Sequence, residues 1–132
     1  MSRLGQLMSN TNYIWVTFRK EGLHKWPDAV NYPGVEFLAN EHRHEFHFRV
    51  HLEVFHNDRE VEFILFKREL QGLYEEKTLQ LDYKSCEMMA DDLYSYIAKK
   101  YPGRNVIIEV SEDGENGVRQ EYIVNSNTIP HD

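Results

Sequence analysis

Between positions 44 and 54 the chain alternates without a break. His44, Phe46, Phe48, Val50, Leu52 and Val54 fall on one side, and Glu45, His47, Arg49, His51 and Glu53 on the other. Side chains project to opposite faces in turn only from an extended strand, so this period of two describes a half-buried strand of an antiparallel sheet. It constrains the fold more than any other feature. A register slip of one residue would turn the whole apolar set into water.

The remaining elements are read around that strand. Residues 13–18, YIWVTF, are β-branched and aromatic and predict an earlier strand. The connection RKEGLHKWPDAVNYPGVEFLANE is punctuated by Gly22, Pro27, Pro33 and Gly34; connections of this length are expected to be functional or mobile. After the alternating strand, Asn57-Asp58 suits a tight turn and REVEF, 59–63, a returning hairpin partner. Two helices follow. ILFKRELQGLY sets Phe66, Leu70, Leu73 and Tyr74 on one stripe, and SCEMMADDLYSYIAKKY does the same with Met89, Leu93, Tyr96 and Ile97. Ser85 is a natural N-cap, Lys99 and Lys100 complement the C-terminal end of the dipole, and Pro102-Gly103 stops the helix. NVIIEV is a buried strand, and SEDGENG a turn into a last strand, VRQEYIV. The layout is α+β, an antiparallel sheet with helices on one face. One domain is expected over 13–124, between a flexible 1–12 and a flexible tail, 125–132.

A net charge of −7, from 22 acids against 15 bases, argues against a nucleic-acid or anionic-membrane partner, which would need a basic footprint. Cys86 is the only cysteine, so no intrachain disulfide forms and a reducing compartment fits. No segment reads as a signal peptide or a membrane span, and a cytoplasmic protein is expected.

Five of the seven histidines lie in 41–63. His42 and His44, two apart on a strand, project to one side and offer a metal two imidazoles from a rigid element. His24, in the preceding connection, is the candidate third ligand; three neutral histidines and an open position would make a catalytic-type zinc site. His47 and His51 face the other way and His56 sits beside the turn, so these three read as incidental, as does His131 in the tail.

Several segments resemble the 6-pyruvoyltetrahydropterin synthase and 6-carboxytetrahydropterin synthase family. FRKEGLHKWP looks like that family's first histidine segment, and HRHEF like its H-G-H-N-Y motif. VEFILFKREL is similar to its V-I-D-F-x-x-L-K, KSCEMMA to its P-T-x-E-N-L-A (at Ser85, Glu87 and Ala90), and IEVSED to its V-x-V-x-E-T. The resemblance spans 13–122 with five motifs in order. It implies a tunnelling fold, a four-stranded antiparallel sheet with two helices on one face, assembled into ring-like homo-oligomers with sites at subunit interfaces. It also implies zinc on His24, His42 and His44. Glu112 would grip the guanidine-like edge of a planar heterocycle through two parallel hydrogen bonds. Glu87, Trp26 and Arg43 are further candidate ligand-binding residues, with Tyr32 and Phe37 available to stack and Lys25 to meet phosphate.

The departures fall on the catalytic groups. Leu38 stands about where the family has its cysteine base. Asp82 could stand for the aspartate of the family's Asp-His pair, but Tyr83 replaces the histidine, and an unperturbed tyrosine is a poor proton relay at neutral pH. Arg43 replaces the glycine between the two histidines. Three functions stay open: a binder of a pterin- or purine-like, nucleotide-related small molecule without normal turnover; a zinc-dependent lyase with relocated acid–base groups; and a metal-free sequestering or interaction module.

Overall fold

The computed structural model of the protein describes residues 10–124. The flexible ends expected at 1–12 and 125–132, His131 included, lie outside these residues except for 10–12, of which Asn12 opens the first strand.

That strand, β1 (Asn12–His24), pairs antiparallel with β2 (His42–Val54) over their full 13 residues, from Asn12 opposite Val54 to His24 opposite His42. The alternation at 44–54 is realised directly: Phe46, Phe48, Val50, Leu52 and Val54 are buried. They meet Val16 and Phe18 of β1, and the Phe18 and Phe48 rings, cross-strand partners, stack with centroids 4.7 Å apart. Helix α1 (Phe63–Gln71) inserts Phe66 and Leu70 into this core, and α2 (Cys86–Lys100) inserts Met89, Leu93 and Ile97. Val106, Ile108 and Val110 of β4 (Val106–Glu112) complete it, and β5 (Asn116–Tyr122) forms the outer edge. Ser85 caps α2 by accepting from the Met88 amide at 3.2 Å.

Four expectations need correction. The sheet has five strands rather than four, and it is mixed and open, in the order β3-β1-β2-β4-β5. The additional strand, β3 (Thr78–Asp82), lies between the helices and runs parallel to β1 at Glu21–His24, covering backbone groups that would otherwise end the sheet there.

REVEF forms no hairpin strand. β2 already has β1 on one side and β4 on the other, so no edge is free for a third partner. The segment instead starts α1, with the Glu62 carboxylate accepting from the Ile64 and Leu65 amides at 3.1 and 3.0 Å. The stripe of α1 is also shorter than expected. Leu73 lies past the helix end and is exposed, while Tyr74 packs on Phe18 and Phe48.

Finally, the long connection is largely strand up to His24. Gly22 is not a turn residue. A Cβ there would lie 2.8 Å from Leu81 and 2.9 Å from the Phe46 ring, so glycine is required by close packing. Two short 3-10 turns, Pro27–Asn31 and Glu36–Ala39, fill what remains of the connection. Among the described residues no helix is long and apolar enough to cross a membrane.

Between the helices, Glu69 accepts from the Tyr96 hydroxyl, from the Tyr101 hydroxyl at 2.7 Å and from Lys100 Nζ at 2.6 Å. Burial alone would raise its carboxyl, but Lys100 and the two hydroxyls outweigh it and hold the group below the usual carboxylate value. A depressed folded pKa stabilises the protein above the unfolded value, and that contribution disappears as pH falls through the folded one.

Two outcomes follow from this packing. In urea unfolding across a pH series, wild type should exceed Glu69→Gln in stability near neutrality, and the gap should close as pH drops through and below the ordinary carboxylate range. Gly22→Ala should cost about 1–3 kcal/mol in the same measurement at neutral pH, because the fully buried Phe46 ring must move to admit the methyl group.

Candidate metal centre

The even-numbered positions of β1 and β2 face the helices, but at the far end of the hairpin the core-facing residues are His24, His42 and His44. His24 and His42 are direct cross-strand partners, and His44 lies opposite Gly22. β4 ends beside them at Glu112, opposite Phe46. The three rings gather with centroids 4.6, 5.4 and 4.9 Å apart, over the edge-on Phe46 ring as an apolar floor. One ligand atom from each of His24, His42, His44 and Glu112 lies within 4.8 Å of every other, so the group could hold a metal ion.

The hydrogen bonds behind the rings decide which atoms are available. His24 Nδ1 lies 2.9 Å from the Lys84 carbonyl, His42 Nδ1 2.8 Å from the Asn40 carbonyl, and His44 Nδ1 2.7 Å from Asp113 Oδ2. A carbonyl oxygen can only accept, so the Nδ1 of His24 and of His42 must carry a proton and donate it; the ionised Asp113 asks the same of His44. Each Nε2 is then left with either a second proton or a bare lone pair. Partners of this kind behind a metal-binding histidine fix its tautomer and orientation.

On the inner side, His24 Nε2 and His44 Nε2 are buried and have no hydrogen-bond partner of acceptable geometry. Glu112 Oε2 is nevertheless 3.0 Å from His24 Nε2, and Glu112 Oε1 3.6 Å from His44 Nε2. Distance and alignment disagree here. The distances are those of a charge contact, and they are decisive because a carboxylate offers no proton to a bare nitrogen. The contact is favourable only if the imidazole is protonated or a cation is shared. Burial lowers the His24 pKa, but the Glu112 carboxylate and the Lys84 carbonyl outweigh it and leave the group above its ordinary value. Glu112 is correspondingly depressed, first by its contact with His24. Asp113 is held low by the Glu45 amide, then by His44.

The other sequence candidates lie elsewhere. Arg43, between the two histidines, points to the opposite face of the sheet and pairs with Glu21 at 3.1 Å. Glu87 is exposed on the first turn of α2. Asp82 ends β3 and pairs with Lys25 at 3.5 Å. Trp26, just beyond His24, stacks on Tyr32 with centroids 4.9 Å apart, and both rings are exposed, as is Phe37. Leu38 gives its carbonyl to the Trp26 amide, and Tyr83 is exposed. Cys86 is buried, its thiol pushed up to about 12 by desolvation and by the charges of Glu112 and Glu87, so it serves poorly as a base. His47 and His51 occupy the opposite face as expected.

Three contributors were not anticipated. The carbonyls of Lys84 and Asn40 carry no side-chain signature. Asp113 does leave a trace, in the Asp113-Gly114 pair that turns β4 into β5 with both residues at positive φ, 59° and 72°.

No protein-family model matches the chain, and no curated protein proves similar to it. The likeness to pterin synthases therefore rests on the quoted motifs. If a metal ion is held here and Asp113 positions His44, Asp113→Ala should weaken binding of the added divalent ion roughly 10–100-fold in competition with a chromophoric chelator, while the fold, followed by circular dichroism, is retained.

Proposed function

We propose that the protein binds one divalent metal ion through His24, His42 and His44, and that the metal is zinc. The observation that carries this reading is the commitment of all three Nδ1 atoms to outer acceptors in a group whose ligand atoms lie within 4.8 Å of one another, with His24 Nε2 and His44 Nε2 buried without a hydrogen bond. Three imidazoles with a carboxylate and no thiolate suit zinc in a four-coordinate site. When bound, such an ion supplies Lewis acidity or a rigid cross-link; the chain's own residues supply orientation and shelter from water.

Ordinary pterin synthase turnover is not expected. General acid–base catalysis needs a proton-transferring group within reach, and the candidates are a buried thiol of high pKa, an aspartate paired with lysine, and an exposed tyrosine.

A second reading adds a small planar ligand, pterin- or purine-like, beside the metal. The exposed Trp26–Tyr32 stack on the loop that follows His24 favours it, since such rings offer a heterocycle a face to lie on. A tunnelling fold and assembly into a homo-oligomer with sites at subunit interfaces belong to this second reading, which the free outer edges of β3 and β5 would accommodate.

Elemental analysis of protein purified without a histidine tag tests the first reading. One equivalent of zinc per chain is expected, falling at least tenfold in His42→Ala and His44→Ala. Substoichiometric zinc that neither substitution changes would overturn it. Mass spectrometry of small molecules released on denaturation tests the second: a retained heterocycle supports it, and its absence from protein purified at neutral pH counts against it.

A further inference from the structure

Glu112 is the residue that the family resemblance assigns to gripping a heterocycle. The geometry points to a different role: we infer that Glu112 is the fourth ligand of the metal, so that the centre is closed and has no open coordination position. This rests on the metal reading and deepens it.

Tetrahedral ligands at about 2.0–2.1 Å from zinc lie about 3.3 Å from one another. Glu112 Oε2 stands 3.0 Å from His24 Nε2 and Oε1 3.6 Å from His44 Nε2, so the carboxylate brings one oxygen close to each of two rings, and one of its oxygens lies within 4.8 Å of all three histidine ligand atoms. The carboxylate is not an exposed acid drawn in from solvent. It is the last residue of β4, held on the core face by the pairing of Phe46 with Glu112 and of Glu112 with Asn116.

The next residue turns sharply at positive φ and sends its own carboxylate to the outer side of the same imidazole. Asp113 Oδ2 meets His44 Nδ1 while Oδ1 accepts from the Glu45 amide at 2.9 Å. Two consecutive acids thus serve one histidine from opposite sides, one as ligand and one as positioning residue. Their two negative charges balance a divalent ion beside three neutral rings.

A carboxylate on the metal cannot also present both oxygens to the N–H edge of a heterocycle. A closed centre also binds no water to activate. Both consequences set this chain apart from an open three-histidine catalytic site. Any exogenous ligand reaches the metal only by displacing Glu112.

Cobalt(II), loaded into metal-depleted protein, reports coordination number through its visible spectrum. Wild type should take up one equivalent, show the intense absorption of four-coordinate cobalt, and remain unchanged on titration with azide or thiocyanate. Glu112→Ala should bind cobalt at least roughly tenfold more weakly, and its spectrum should shift when either anion is added, because a position has opened. A wild-type spectrum that is weak, or that responds to the anions as the variant does, would overturn the inference without touching the metal reading. The wild-type arm stands alone should the variant misfold. Failure of wild type to bind cobalt at all would remove both.

Discussion

The unbroken pairing of β1 with β2 is the constraint on which the rest depends. Thirteen consecutive pairs fix which side chains face the helices, and the same register that buries Phe18 against Phe48 brings His24 opposite His42 at the other end. Core and site are therefore not independent. A one-residue slip would expose the apolar set of β2 and carry His42 and His44 to the opposite face together. The apolar cost of that slip, on the order of 1.5–3 kcal/mol for each large side chain lost from the core, protects the histidine geometry without any contribution from the histidines.

At the junction between packed core and loop, the chain has placed groups that cannot satisfy one another alone. Three imidazoles have their outer nitrogens committed to Lys84, Asn40 and Asp113, and the inner nitrogens of His24 and His44 face a carboxylate that can accept but not donate. Two states resolve the arrangement: an imidazolium paired with Glu112, or a cation shared among all four side chains. The raised pKa of His24 describes the first state, and the proposed metal occupies the second. Burial sharpens the choice, because an unpaired lone pair or charge is expensive where water is excluded.

The parts legible in the sequence were those written in a period. The alternation of β2, the helical stripe of Met89, Leu93 and Ile97 and the shared face of His42 and His44 all follow from 2.0 or 3.6 residues per repeat, and the Ser85 cap from its residue type at a helix start. What was missed depends on partners rather than on local pattern. β3 is five residues long and gains its identity only by completing the edge of β1. Glu62 looks like part of a strand until the edges of β2 prove to be occupied. Gly22 resembles a turn signal because the sequence does not show the Phe46 ring above it. Arg43 reads as a candidate ligand-binding residue beside the histidines, although alternation sends it to the other face, where it pairs with Glu21. At the site, the histidines were readable as residue types, whereas two of their three outer partners are backbone carbonyls that any residue could supply.

The central claim is that three imidazoles converge on one metal. X-ray absorption at the zinc edge of the loaded, untagged protein measures this most directly. The account predicts a first shell of four nitrogen and oxygen scatterers near 2.0–2.1 Å, with the multiple-scattering pattern of about three imidazole rings. A six-coordinate oxygen shell, or one with a single imidazole or none, would contradict it.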